Sequence, residues 1–171
     1  MENNSSRDEQ YIEIVNDILE HREFVKTKEI IHHGKNRYDH SVRVSYYSYK
    51  MAKYLNLDYV EVARAGLLHD FFLVDNEAIS LKETVDTLFN HPKYAVAFSE
   101  KYFDLSDKEK DIIISHMFPI SLIRIPRYAE SWLVNIVDNG VSIIEAAQTY
   151  KYQLAKISNV ALVVLLNFFK F

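Results

Sequence analysis

Hydrophobic residues recur at intervals of three and four positions along most of the chain, which is the spacing that places side chains on one face of an α-helix. This spacing predicts an amphipathic helix over residues 8–24. Residues 25–38 are basic and interrupted by Gly34, which predicts a loop or a short helix. No segment alternates between apolar and polar residues over the length of a strand, so the pattern favours an all-α fold.

A second helix is predicted from about Asp39, a candidate N-cap, to Leu55. Its apolar positions form one stripe, which consists of His40, Val44, Tyr47, Met51 and Tyr54 or Leu55. A histidine on this stripe is expected to point toward the protein interior rather than into solvent.

A third helix is predicted over about 58–72, with Asp58 as a candidate N-cap, and a longer helix is predicted over about 129–148. Residues 118–128 (FPISLIRIPRY) precede the longer helix and are predicted to be irregular. The adjacent pair His69-Asp70 falls at the carboxyl end of the first of these helices, and Asp138 lies inside the second.

Capping boxes predict the starts of two further helices. In residues 80–83 (SLKE) and 106–109 (SDKE), a serine is followed three positions later by a glutamate, which allows each side chain to bond the other's free amide. The first of these helices is predicted to end near His91, where Pro92 can occupy the first turn of the next helix.

Composition supports a helical fold. The chain contains three glycines and three prolines, where average usage gives roughly 12 and 8, and a β-rich fold with many tight turns needs more of both. The length of 171 residues suits one domain with a substantial core. We expect a single domain over 1–171, with its core at about 30–150, an N-terminal helix and an apolar C-terminal segment at about 153–171.

The C-terminal residues 157–169 (ISNVALVVLLNFF) are almost continuously apolar. This run is shorter than the roughly 20 residues of a membrane-spanning helix, and Asn159 and Asn167 interrupt it. We therefore expect no transmembrane segment. The segment is predicted to be a buried terminal helix or the contact surface of a homo-oligomer, with membrane contact as the alternative.

Charge and cysteine content limit the partners and the compartment. The net charge is −4 and no long Lys/Arg run occurs, which argues against duplex nucleic acid as the main partner but leaves room for a small anionic ligand. The absence of cysteine excludes disulfides and thiolate metal sites. The first ten residues, MENNSSRDEQ, lack the features of a secretory signal, so we expect a cytoplasmic protein.

Six residues, most of them at or near the ends of predicted helices, carry imidazole or carboxylate groups, the usual ligands of borderline and hard divalent metal ions. They are His40, His69, Asp70, His91, His116 and Asp138. Taken singly, each of these residues is more often a core histidine, a helix cap or a salt-bridge partner than a metal ligand. Burying several ionisable groups together is costly, and a bound metal ion gives all of them a partner at once. The set therefore predicts a metal centre.

The charges of this set indicate a reaction class. Four neutral imidazoles and two carboxylates carry about −2, while two divalent ions carry about +4, so an anionic substrate is attracted. A metal-activated water can ionise near pH 7, and two ions roughly 3.5–4 Å apart can stabilise the attacking and leaving oxygens of a phosphoryl displacement. Hydrolysis of phosphoric ester or anhydride bonds is therefore predicted. A single ion held by His40, His69, Asp70 and Asp138 would serve the same chemistry.

The order His40, His69-Asp70, Asp138 resembles the HD-domain metal-dependent phosphohydrolase superfamily. The strings NRYDHSVRV, ARAGLLHD and VNIVDNGVS look like its characteristic segments, and the resemblance covers about residues 30–150. The additional His91 and His116 resemble those of the two-metal subset, which often uses iron or manganese.

The resemblance implies a helical bundle with the metals at its centre. His40, His69, Asp70 and Asp138 would hold the first ion, and Asp70 would bridge to a second ion completed by His91 and His116. Asp70 is accordingly the predicted catalytic residue. Iron or manganese is expected, with zinc, cobalt, nickel and magnesium left open.

One departure from the family concerns phosphate binding. Many two-metal members follow the His-Asp pair with a small residue and then a lysine that contacts phosphate, whereas this chain continues with the apolar run 71–73 (FFL). Other cations must then bind the substrate. The preferred candidates are Arg37, in the loop that leads to His40, and Lys93, close to His91. Further candidates are Arg43, Arg124 and Arg127.

The resemblance leaves three functions open. The leading one is hydrolysis of a small phosphorylated metabolite or nucleotide. The second is oxidative cleavage, because some superfamily relatives use a di-iron pair with the same six ligands to activate oxygen. The third is a regulatory module without catalysis, against which the presence of all six expected ligands argues.

Overall fold

A computed structural model describes residues 4–32, 35–73, 81–121 and 124–168. Its helices are α1 (Asn4–Leu19), α2 (Arg22–Val25), a 3-10 helix (Lys26–Glu29), α3 (Arg37–Tyr54), α4 (Tyr59–Leu68), α5 (Leu81–Ser99), α6 (Asp107–Ser115) and α7 (Ala129–Phe168). Two short strands, β1 (Ile31–His32) and β2 (Lys35–Asn36), pair antiparallel ahead of α3. The predicted all-α fold is confirmed, with this two-residue pairing as a local addition.

Side-chain caps set several helix starts. Asp58 accepts from the Glu61 amide at 3.3 Å, as predicted. Ser106 and Glu109 form the predicted capping box, with both reciprocal hydrogen bonds present. The predicted cap of α3 is wrong, because Asn36 caps this helix by accepting from the Asp39 amide at 2.7 Å. The extended backbone of β2 ends at Asn36, so the helix begins earlier than the hydrophobic pattern indicated.

The other predicted helix boundaries need correction. The N-terminal helix ends at Leu19, and α2 starts separately after His21, whose extended backbone interrupts the helical path. The predicted break at His91 does not occur, because α5 continues through Pro92. His91, Pro92 and Ala95 are all buried on this continuous helix, so packing outweighs the one backbone hydrogen bond that proline cannot make. The capping box predicted at 80–83 begins outside the described residues.

The last helix is much longer than predicted and continues from Ala129 to Phe168. The apolar C-terminal segment is thus a continuation of α7 up to that residue. Its predicted burial or subunit contact concerns side chains outside those described and stays a prediction. In the described part of the chain, no helix combines the length and the apolar content that a bilayer crossing requires.

The buried face of α3 differs from the predicted stripe. Tyr47, Met51 and Tyr54 are exposed. Beyond His40 and Val44, the buried positions of α3 are Arg37, Ser41, Ser45, Ser48, Tyr49 and Ala52, and four of these six side chains are small. These small side chains allow α3 to approach α4 closely. The approach is closest at Gly66, where an added β-carbon would lie only 2.8 Å from Ser45 Cα. The Ser45 hydroxyl satisfies its polarity by donating to the Ala63 carbonyl at 2.6 Å.

A buried carboxylate fixes the start of α7 against α6. Asp111 accepts from the Arg127 amide at 2.9 Å and from its Nε at 2.8 Å, and the Ser131 hydroxyl donates to it at 2.9 Å. Arg124 Nε lies 3.0 Å from the same carboxylate. Because α7 carries Asp138, these contacts hold that residue in register with the helices that surround it.

We expect Gly66→Ala to destabilise the fold, because the added methyl meets the backbone of α3 rather than a flexible side chain. Overpacking of this kind costs roughly 1–3 kcal/mol. Gly140→Ala is the matched control, since its β-carbon has nothing within 4 Å, and the helix propensity of alanine should stabilise α7 by about 0.5–1 kcal/mol. Urea denaturation measures both free energies of unfolding. An unchanged value for Gly66→Ala would contradict the close α3–α4 contact.

Candidate metal centre

The six predicted ligands converge at one point in the interior. His40 lies in the first turn of α3, His69 and Asp70 follow α4, His91 lies in α5, His116 follows α6 and Asp138 lies in α7. Each of them is at most 8% exposed. Five helices therefore contribute side chains to one buried cluster.

The first part of the cluster surrounds Asp138. Its Oδ1 lies 3.0 Å from His40 Nε2 and 3.7 Å from His69 Nε2. All three residues offer one ligand atom within 4.8 Å of the others, which is a spacing that could hold a metal ion.

The second part surrounds Asp70. Its Oδ1 lies 3.3 Å from His91 Nε2 and 3.7 Å from His116 Nε2, and these two imidazole nitrogens are 3.0 Å apart. The other oxygen, Oδ2, lies 3.8 Å from His69 Nε2. Asp70 therefore directs one oxygen to each part of the cluster. This is the placement that a bridging carboxylate needs.

Two of the histidines, His69 and His116, are each held by a hydrogen bond to the end of the preceding helix. His69 donates from Nδ1 to the Gly66 carbonyl at 2.8 Å, and His116 donates from Nδ1 to the Ile113 carbonyl at 2.7 Å. Each carbonyl lies three residues earlier, in the last turn of a helix, where carbonyls lack partners within the helix. A carbonyl accepts only, so Nδ1 carries the hydrogen and Nε2 of the neutral ring presents its lone pair to the cluster.

The donor atoms fit a divalent ion. His69 Nε2 is buried without a hydrogen-bond partner, a state that costs free energy unless another group supplies the interaction. Ligands at about 2.1 Å from one ion lie roughly 3.0–3.4 Å from each other for octahedral to tetrahedral angles. The distances between the converging atoms, from 3.0 Å for His40 to Asp138 up to 3.8 Å for His69 to Asp70, are close to this range.

The electrostatics of the cluster favour a cation. Burial lowers the pKa of His116 to about 4, so this ring is neutral. Burial alone would lower the pKa of His40, but the hydrogen bond and charge of Asp138, the charge of Asp70 and the hydrogen bond to Glu145 raise it to about 9. The same contact with His40 helps to hold the pKa of Asp138 below its usual value despite burial. Without an ion, a proton on His40 supplies positive charge that these carboxylates require.

Sequence reasoning missed two side chains that support the cluster. Glu145 is fully buried, with Oε2 2.9 Å from His40 Nδ1. Asn135 donates from Nδ2 to the carbonyls of His116 and Phe118. Both lie on the same face of α7 as Asp138, seven residues after it and three residues before it, and this helical spacing is the signal that could have found them.

The predicted substrate-binding cations have different surroundings. Arg37 is buried, donates from Nη1 to the Phe72 carbonyl at 2.6 Å and lies with its guanidinium carbon 4.0 Å from the centre of the Phe72 ring. That ring stacks on His91 with a centroid distance of 5.7 Å. Lys93 is exposed and donates to Asn90 Oδ1 at 3.1 Å. Substrate binding by Arg37 and Lys93 stays a prediction.

The remaining candidate cations are engaged in ion pairs. Arg43 Nη1 lies 2.8 Å from Glu145 Oε1, and Arg124 and Arg127 both contact Asp111. These contacts give each arginine a structural partner. Arg37 instead reaches the predicted ligand His91 through the ring of Phe72.

A comparison with protein families gives one match. The family model described as HD domain matches residues 37–152, which include all six predicted ligands. No curated protein and no solved structure matches the chain. The family match confirms the resemblance drawn from the sequence, while the two-metal subset stays a prediction.

We expect protein purified without chelator to contain close to two divalent ions per chain, and Asp70→Ala to lose both, because Asp70 faces both parts of the cluster. The exposed Asp104→Ala is the matched control and should keep the wild-type metal content. Elemental analysis of each protein provides the measurement. One tightly held ion in the wild type would instead give His91 and His116 structural or substrate-contacting roles.

Proposed function

The chain belongs to the HD domain family, and on that premise we propose that it is a metal-dependent phosphohydrolase of a small phosphorylated metabolite or nucleotide. The observation that carries the proposal is a buried cluster in which three imidazoles (His40, His69 and His116) and two carboxylates (Asp70 and Asp138) have donor atoms spaced as metal ligands. The fourth imidazole, His91, lies 3.3 Å from Asp70 Oδ1. These side chains would hold a divalent ion, which would supply an activated water and polarise a phosphoryl oxygen.

The protein side chains set the charge of the site. The imidazoles of His69 and His116 donate to backbone carbonyls and contribute no negative charge. Asp70 and Asp138 contribute about −2, which only partly neutralises two divalent ions. The resulting positive site attracts an anionic group, and the buried surroundings strengthen this attraction by limiting solvent screening.

Arg37 is the residue that we assign to the substrate phosphate. Its Nε is buried without a hydrogen-bond partner, while Nη1 is held by the Phe72 carbonyl. Burial lowers the pKa of this guanidinium and the charge of Asp70 opposes the shift, but an arginine stays protonated in either case. An anionic oxygen would supply the acceptor that Nε needs, and would place phosphate beside the ligand-bearing segment.

The contacts of Phe72 with Arg37 support an alternative to the lysine of the family pattern. Where many relatives carry a small residue and a phosphate-binding lysine after the His-Asp pair, this chain carries Phe71 and Phe72. The backbone and ring of Phe72 hold Arg37 in place instead. In this proposal, an arginine from the start of α3 takes the role that the lysine has in those relatives.

The first test is hydrolysis of an aryl phosphate by the metal-free protein after addition of Mn²⁺, followed by a panel of nucleotides and phosphorylated metabolites. We expect phosphate release that requires the metal and is lost in Asp70→Ala. Oxygen consumption with Fe²⁺ and an organic substrate, without phosphate release, would favour the oxygenase. Absence of both reactions in protein with full metal content would favour a regulatory module.

Arg37→Ala should raise the KM for a phosphorylated substrate roughly 10- to 150-fold, because a hydrogen bond to a charged group contributes about 1.5–3 kcal/mol. The metal content should stay at the wild-type value, since Arg37 is not among the predicted ligands. Lys93→Ala is measured beside it as the second predicted phosphate contact, with steady-state kinetics for both. Wild-type kinetics in Arg37→Ala would remove this residue from substrate binding.

A further inference from the structure

A carboxylate outside the six predicted ligands lies behind His40. Glu145 is fully buried, and it lies on α7 seven residues after Asp138, on the same face of the helix. A carboxylate in the interior is costly unless its oxygens are paired. Its contacts therefore indicate what the side chain does there.

Each oxygen of Glu145 has one partner on α3. Oε2 lies 2.9 Å from His40 Nδ1, and Oε1 lies 2.8 Å from Arg43 Nη1. On its opposite edge, His40 directs Nε2 to Asp138 Oδ1 at 3.0 Å. Arg43 is the outer member of this row, since its side chain is 39% exposed, whereas His40 and Glu145 are each 1% exposed by side chain.

The partner of His40 differs in kind from the partners of two other histidines of the cluster. His69 and His116 donate from Nδ1 to neutral backbone carbonyls, but His40 faces a carboxylate. An imidazole whose Nδ1–H donates to a carboxylate is a more basic ligand at Nε2, and its ring orientation is fixed by the same hydrogen bond.

We propose that Glu145 is a positioning residue of the metal centre, which keeps the Nδ1 hydrogen on His40 and so directs the Nε2 lone pair of this ring to the ion. The inference rests on the proposed metal centre and concerns its affinity for metal. Glu145 acts through His40 and does not touch substrate. Arg43 neutralises the outer oxygen and has no direct part in binding the ion.

A purely structural role predicts a different pattern of mutational effects. If Glu145 served only as the ion-pair partner of Arg43, then Glu145→Gln and Arg43→Gln would lower the thermal stability alike and leave metal affinity unchanged. If Glu145 positions His40, then only Glu145→Gln should weaken metal binding. The two variants each replace one side of the same ion pair with the same neutral residue and are therefore matched.

The experiment is a titration of the metal-free protein with Mn²⁺ in competition with a fluorescent chelator, with thermal unfolding of the metal-free proteins recorded in parallel. Loss of a partner of this kind weakens metal affinity roughly 10- to 100-fold, and we expect that loss in Glu145→Gln. Arg43→Gln should keep the wild-type Kd within about twofold, because the hydrogen bond between Glu145 and His40 remains in that variant.

Three results would overturn the inference. A wild-type Kd in Glu145→Gln removes the residue from the metal centre, and equal weakening in both variants assigns the effect to the ion pair. Absence of Mn²⁺ binding by the wild type would overturn both this inference and the proposed function, whereas the first two results would leave the proposed function standing. If circular dichroism shows Glu145→Gln to be unfolded, Glu145→Asp replaces it, since its shorter side chain withdraws from Nδ1 and should weaken binding too.

Discussion

The burial of six ionisable side chains at one point is the constraint on which the rest of the structure depends. Transfer of a charged group out of water costs several kcal/mol even after relaxation, so the cluster persists only if its members satisfy each other or share a cation. The geometry meets part of this need within the protein, through the contact of His40 with Asp138 at 3.0 Å. The unpaired Nε2 of His69 is the part that the described side chains leave unmet.

Helix ends supply much of the cluster for a physical reason. His69 and His116 each follow a helix and donate to a carbonyl of its last turn, so a single hydrogen bond both caps the helix and orients the ring. Asp70, next in the chain to His69, is then carried into the interior by the same turn. Close approach of α3 and α4 at Gly66 and Ser45 brings His40 within reach of these groups.

The cluster has different side chains on two of its sides. Glu145 lies on the side of His40 away from Asp138, and it pairs there with the partly exposed guanidinium of Arg43. Arg37 approaches from another side, where Phe72 packs between this arginine and His91. In the two proposals made above, Glu145 supports the metal ligand His40 on the first side, and Arg37 would bind the anionic substrate on the second.

The sequence alone determined the helical class, through the spacing of its hydrophobic residues, and the identity of the buried cluster, through the types of its residues. The HD family was recognisable from the resemblance in the order of these residues. His40, the His69-Asp70 pair and Asp138 were identifiable because their order is specific to that family. The caps at Asp58 and Ser106 were also predictable, since a capping side chain bonds an amide only three residues away. Such a contact depends only on residues close together in the sequence, so the sequence is enough to predict it.

Only the tertiary structure decided which face of α3 is buried, that α5 continues through Pro92, and that Glu145 and Arg37 contact the cluster or its neighbours. The hydrophobic pattern predicted that Tyr47 and Met51 are buried, but the face of α3 that is buried carries serines, whose small side chains allow the close contact with α4. Each of these outcomes depends on a partner far away in sequence, such as Glu145 opposite His40. Helical periodicity specifies one segment at a time, whereas packing and charge pairing are properties of segments together.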